Sequence, residues 1–568
     1  LGLAFNDDKP VVNGNFTYGD RKGGLGFVMP VSFFSWRLKN ETSGDRLGRD
    51  AQLQTQRLAT EGFDIPWGHG FNIAPRLNIK LGDEETLTLQ GFAISNNFRN
   101  RGETRTTVLA GSVPSSVDDS FTNRGKFQAV RLNLQYNNRF DEDNRIELRA
   151  TAGGGGAEFD SRFVGRNAAG SPTINRQTVG DNKNRGSQLS GKYIRLVGDE
   201  HTFTAGAEVE RRSRDEQRRT VENGVDLLPG IEGQPFDATV TRTAVYAQDE
   251  WEINPHWSAY FGIRNERIRT ISEGVGSNFR STSSVTTPLL HLNYKFDPKA
   301  RDLIRASLTR SYKAPNIEQL IARPTINTNY PTTGPNTETA PDRVGNPALQ
   351  PELATGLDIA WETYLKAGGM ISVGVFHRRI TGLVRSSLVQ ESVDWASVPR
   401  WVAKPINLSR ASTSGLEFEV KGRAGELMPS LFEPTTALSL RASLSIYTSK
   451  VKDIPGPDNR LEQQQPWSAN LGFDYRFKGV PVSVGASLAF TPSYEVQQSS
   501  LQRLDMGRAR TVDMFAMWNI SRTDSLRVSA NNFQAVDQRS LTLLKNGDYN
   551  WTERRPKTWY AINWEHKF

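Results

Sequence analysis

The chain has 568 residues, with 70 Lys and Arg against 62 Asp and Glu, and no cysteine. It is too long for one ordinary domain of ~100–200 residues, and its net charge of +8 is too mild to mark a nucleic-acid binder. Without cysteine it holds neither a disulfide framework nor a thiolate metal site. Aromatics at 10% exclude a disordered chain, and the absence of any apolar run of ~18 residues excludes a membrane helix. Strands of alternating polarity escape that last test.

Alternation is the dominant pattern along the chain. A first strand is expected at Pro10–Asp20. Val130, Leu132, Leu134 and Tyr136 share one face, with Arg131, Asn133 and Gln135 on the other. Gly153 to Gly156 read as a closely approached strand. Leu290, Leu292, Tyr294 and Phe296 repeat the period of two. Ile317 to Ile321 is the one segment with the spacing of a short helical turn. Leu438 to Ile446, Trp467 to Phe477 and Pro481 to Thr491 alternate again. The final strand, Lys557–Phe568, carries Tyr560, Ile562, Trp564, His566 and Phe568 on one face.

The connections alternate too. Tight ones fall at 82–85, 140–144, 199–200, 254–255, 297–301, 367–368, 478–479 and 521–524. Long polar ones fall at 44–70, 100–120, 160–185, 217–236, 314–352, 387–405 and 536–556. A soluble sandwich has no reason to sort loop length by side. About 22 strands are counted, whereas an open twisted sheet rarely exceeds ~10. The expected fold is all-β: a single large antiparallel transmembrane barrel, apolar outside and polar inside, with long extracellular loops and short periplasmic turns. Tyr136, Trp251, Trp257, Trp361, Trp518 and Tyr560, near strand ends, suit interfacial girdles.

Residues with catalytic potential do not assemble. The six histidines show no metal-ligand spacing, and neither a Gly-Lys-Ser/Thr phosphate loop nor a nucleophile elbow occurs. No catalytic residue, metal site or cofactor is expected. Glu147, Glu417, Glu419, Asp474 and Asp513 sit on polar strand faces near Arg145, Arg149, Lys421 and Arg476, which points to charge pairing in the lumen. Ligand recognition is expected in the outer loops: Arg323, Asn327, Asn329, Tyr330 and Arg343 in 314–352, Trp395, Arg400, Trp401 and Lys404 in 387–405, and Trp67 and His69 in 44–70. Cationic forks beside aromatic faces suit an anionic or aromatic solute such as an iron chelate. Loop packing and lipopolysaccharide contact at the rim are the alternative uses of these residues.

Several stretches resemble the barrel of TonB-dependent outer-membrane receptors: AVYAQDEWEINPHWSAYFGIRNE from Ala244, SLTRSYKAPNIEQL from Ser307, GNPALQPEL from Gly345, VSANNFQAVD from Val528 and YAINWEHKF at the end. The resemblance implies a receptor in the bacterial outer membrane that binds a scarce, large solute, a ferric siderophore first, for TonB-energised uptake. It also implies an N-terminal plug, through which TonB is contacted. Residues 1–9 look like the junction from that plug, with the barrel at 10–568. Outer-membrane lipid, lipopolysaccharide and a small-molecule ligand are the expected partners of a monomer, and nucleic acid is not. The competing readings are a passive porin-like channel and an RNA-associated β protein. Basic residues interleaved with carboxylates, with no single-sign stripe, count against the second.

Overall fold

In a computed structural model describing residues 1–6 and 9–568, alternation becomes one closed antiparallel barrel of 22 strands. Closure is made by Gly2–Phe5. It pairs on one side with the strand Pro10–Lys22 and on the other with Trp559–His566, in the register Gly2 to Asn563 and Phe5 to Tyr560. This moves the expected boundary, because residues placed in a junction are wall. The expected number of about 22 stands, but the 22 strands run from Gly2–Phe5 and not from Pro10. Asp7 and Asp8 of that junction lie outside the described residues.

Register confirms the two faces. Leu471 lies opposite Ala442 on one side and Leu488 on the other, and Phe473 lies opposite Leu440 and Ala486. Leu471 is 52% exposed and Val130 is 62% exposed, so the outward face presents aliphatic surface that suits hydrocarbon. The inward face carries charge pairs. Glu147 meets Lys192 at 2.8 Å and Arg145 at 3.5 Å, Glu419 meets Lys421 at 3.8 Å, and Asp474 pairs with Arg441 rather than with Arg476.

The tight connections fall on one rim. In one of them Asn254 Oδ1 accepts the N–H groups of His256 and Trp257 at 2.9 and 3.0 Å, an Asx turn that needs no further residues. Trp257 packs on Tyr294 at 4.8 Å and Tyr475 on Phe477 at 4.8 Å, giving this rim an aromatic girdle. Phe568 lies two residues beyond its strand, edge-on to Phe16.

Most of the long connections prove to be strand. Glu85–Ala110 spans 26 residues, whereas crossing a bilayer takes ~9–11. Asp118–Arg139, Asn144–Arg166 and Pro172–Val197 are similarly tall. Above the aliphatic band polar residues occupy both faces, so polarity stops alternating while the ladder continues; Arg105, for example, still reaches Asp118 at 3.7 Å. Where the wall strands are short, as at Asp524–Asn531, Trp559–His566 and Gly2–Phe5, a second tier stands above them. It runs Gln502–Met506, Gln538–Leu544, Tyr549–Arg555, Asn40–Arg49 and on to Thr55–Ile73.

The connection 314–351 is the true long loop. It begins with the 3-10 turn Ile317–Leu320, and then crosses the mouth of the barrel. It packs on inward faces at Ser272, whose Oγ donates to the Leu320 carbonyl at 2.9 Å, and at Arg218, which donates to the Pro324 carbonyl at 2.9 Å. Phe236, Ala238 and Ile321 form a small apolar cluster there.

Candidate functional site

The loop 314–351, the upper hairpins and the second tier enclose a chamber of about 1370 Å³ at the long-loop end. Its floor and walls include Thr42, Gly44 and Arg46 on Asn40–Arg49, Leu58 and Thr60 on Thr55–Ile73, and Asn550, Thr552 and Arg554 on Tyr549–Arg555. Phe163, Arg176, Asp119 and Glu222 line it from the tall strands, and Asn329 and Tyr330 from the crossing loop.

Much of the charge here is internally matched. Arg176 binds Glu222 through Nη2 at 2.6 Å and lies over the Phe163 ring at 5.3 Å. Arg539 Nε meets Glu553 at 2.6 Å. Asp50 closes its own turn, accepting the Ser112 hydroxyl at 2.6 Å and the Gln52 and Gln54 N–H groups at 2.9 and 2.8 Å. These bonds, the Ser112 hydroxyl above all, hold its carboxyl below the usual carboxylate range. Burial pushes the Asp119 carboxyl up, toward its neutral form.

Two cations are left over. Arg46 spends Nη2 on the Tyr330 hydroxyl at 3.0 Å and the Arg49 carbonyl at 3.3 Å, and meets no carboxylate among the described residues. Arg554 is exposed and without an ion pair among the described residues. Asn550 is opposite Arg46 and Thr42 is opposite Arg554, so the two guanidinium-bearing positions are four residues apart along the strands, ~13 Å. Thr42, Asn550 and Thr552 share that face with them. The arrangement can grip two oxygen-rich ends of one solute.

The residues singled out in the sequence separate into three groups. Asn329 and Tyr330 line the chamber. Tyr330 is only 4% exposed, and its hydroxyl donates to the Arg49 carbonyl at 2.6 Å. A second group holds the crossing loop in place. Arg400 is fully buried on Asp342 (Nε–Oδ2 2.6 Å, Nη2–Oδ1 3.0 Å), and Nη1 donates to the Pro331 carbonyl at 2.9 Å. Trp395 Nε1 donates to the same Asp342 carboxylate at 2.9 Å, and the other oxygen accepts the Asn327 N–H at 2.9 Å. Trp401 exchanges backbone bonds with the Asn336 side chain at 2.6 and 2.9 Å. Arg323 is buried over the Phe236 ring at 5.1 Å, donating to the Gln234 carbonyl at 3.1 Å and to that of Arg218. Arg343 bridges to Thr325, and Lys404 pairs with Glu391. The guanidinium groups of Arg400 and Arg323 and the indole N–H of Trp395 are thus spent on Asp342 and on loop carbonyls, which favours holding the loop over ligand contact for these three.

Trp67 and His69 form the third group. They sit opposite Arg99 and Asn97 on the face that continues through Phe71 into the aliphatic band, so they point away from the chamber. Arg46 and Arg554 escaped selection because their hairpins read as loops. Asn546-Gly547, set between Leu543-Leu544 and Tyr549, is a hairpin signal, and Gly547 indeed takes φ +92° between the paired strands Gln538–Leu544 and Tyr549–Arg555.

A closed barrel of this size, with a loop-roofed chamber at one mouth and an aliphatic outer band, defines a membrane receptor or transporter barrel. Residues 40–533 match the family described as TonB dependent receptor-like, beta-barrel, and the chain belongs to that family. Its members' barrels lie in an outer membrane. The fold is shared with the FrpB iron transporter from Neisseria meningitidis (12% identity, 98% of this chain and 80% of that one, TM-score 0.59). It is also shared with the copper transporter OprC (11%, 98% and 82%, 0.57) and with P. aeruginosa FpvA bound to pyoverdines (12%, 99% and 71%, 0.57). A search among curated proteins returned no match.

Proposed function

We propose that this barrel is the outer-membrane part of a receptor that captures a large anionic chelate, a ferric siderophore first, for TonB-energised uptake. The chamber carries the reading. Its volume suits a solute larger than a bare ion, and Arg46 and Arg554 are its cations without a carboxylate partner among the described residues. Asn329 and Tyr330 close over the solute from above, with Phe163 as an aromatic wall. The long-loop rim then faces outward and the short-turn rim faces the periplasm. Energy coupling is assigned to an N-terminal plug that precedes Gly2 in the intact protein and contacts TonB, and the receptor works as a monomer surrounded by lipid and lipopolysaccharide.

Uptake of ⁵⁵Fe-loaded chelates by iron-starved cells producing the full-length protein tests this. Accumulation that collapses when TonB or the membrane potential is removed supports the reading. Accumulation unaffected by either, together with open-channel conductance in planar bilayers, overturns it in favour of a passive channel.

A further inference from the structure

We propose that the outer wall carries a binding site for the phosphate groups of a glycolipid in the leaflet facing the long loops; this rests on the membrane orientation given above. The site is the outward face shared by Thr55–Ile73, Glu85–Ala110 and Asp118–Arg139. On the last of these, outward positions ascend from Leu134, Leu132 and Val130 through Gln128 to Lys126 and Arg124. Lys126 therefore lies two outward positions above the last aliphatic, ~13 Å along a tilted strand, and enters the headgroup layer. Register sets Lys126 beside Asn97 and then His69, and Arg124 beside Arg99 and then Trp67. These residues line one groove of about 770 Å³.

Arg99, Arg124 and Lys126 are exposed and make no ion pair among the described residues. Two carboxylates face them across the next strand pair, Glu158 opposite Lys126 and Asp160 opposite Arg124. Asp160 is already engaged, accepting from Gln177 at 3.0 Å and lying 3.6 Å from Arg162. Three cations are thus left against one carboxylate, beside an indole at the depth where tryptophan anchors barrels. Guanidinium groups bind phosphate oxygens bidentately. A phosphorylated glycolipid places such groups at this height while its chains cover Val130, Leu132 and Phe71. A soluble anion has no reason to be met on the lipid side of the wall.

The test uses the full-length protein in detergent, with bisphosphorylated lipid A, its dephosphorylated counterpart and inorganic phosphate as probes. Native mass spectrometry reads the lipids, and competition reads the phosphate. The wild type is expected to retain bisphosphorylated lipid A at least tenfold better than the dephosphorylated form. R99Q/R124Q/K126Q is expected to lose that preference, while Arg131→Gln, facing the lumen, keeps it. Circular dichroism of both variants should match the wild type. Equal retention by the triple variant, or an equal loss in Arg131→Gln, overturns the site. Competition by millimolar inorganic phosphate that depends on the same three residues overturns the lipid assignment. A wild-type protein that stays monodisperse without detergent overturns the membrane reading itself, a result separable from failure of the site.

Discussion

Arg400 and Asp342, 58 residues apart, form a fully buried bidentate ion pair at 2.6 and 3.0 Å. Arg400 opens the strand Arg400–Arg423, and Asp342 sits in the two-residue strand Asp342–Arg343 that pairs parallel with it at Val402 and Ala403; together they fix the loop that roofs the chamber. Breaking a buried pair by removing one partner strands the other charge, at a cost of ~3–5 kcal/mol. Asp342→Ala should therefore release the loop 314–351, seen as faster hydrogen exchange there with the wall strands unchanged. Adding Arg400→Met should recover part of the protection, since no buried charge is then left alone. Equal exchange in wild type and Asp342→Ala would show that the pair does not hold the loop.

The two faces of the wall differ in what they tolerate. Leu471→Arg, on the lipid side, should cost ~2–4 kcal/mol in a reversible unfolding measurement, and Asn470→Arg, facing the lumen, little. Asn470 donates to Ser443 Oγ at 3.1 Å, a polar contact that an arginine in the lumen can replace. Equal costs at the two positions would contradict the assigned faces.

Asp50 gives the rim a pH dependence of known sign. Its folded-state pKa lies below the unfolded value of ~3.9. The stabilisation is therefore complete above that value and is lost as pH falls through the folded pKa. A probe attached at Gln52→Cys, in a chain otherwise free of cysteine, should report an ordered hairpin tip down to about pH 4 and its loosening below. In Asp50→Asn that acid transition should disappear. Loosening as pH rises from 4 to 7 would give the opposite sign and contradict the account.

The barrel was legible because its forces repeat. Leu471, Phe473 and Tyr475 show the same period as Leu132 and Leu134, and the Asn254 turn is written in three residues. The site was less legible for two physical reasons. First, a strand standing above the aliphatic band carries polar residues on both faces, so the hairpin arms around Arg46 and Arg554 show no polarity period and read as loop. Second, local sequence does not tell an arginine that meets solvent from one that meets a distant carboxylate. Arg400 and Arg323 looked like available cations, yet their partners Asp342 and the Arg218 carbonyl lie far away in the chain. Trp67 and His69 had the right chemistry for a rim but belong to its outer side, which only the register with Arg99 and Asn97 reveals.

The residues that matter most to the proposed function are Arg46 and Arg554. Each charge-assisted contact to a bound anion is worth roughly 1.5–3 kcal/mol, so Arg554→Gln alone should weaken binding about ten- to a hundredfold. Trp401→Phe, outside the chamber, should leave affinity within about twofold.

Equilibrium titration of the full-length protein with a panel of anionic ferric chelates is the most direct test of the central claim. The account predicts that at least one chelate binds at micromolar concentration or below, and that R46Q/R554Q loses more than a hundredfold while His69→Ala loses nothing. A chelate bound equally well by R46Q/R554Q, or a panel in which none binds, would contradict it.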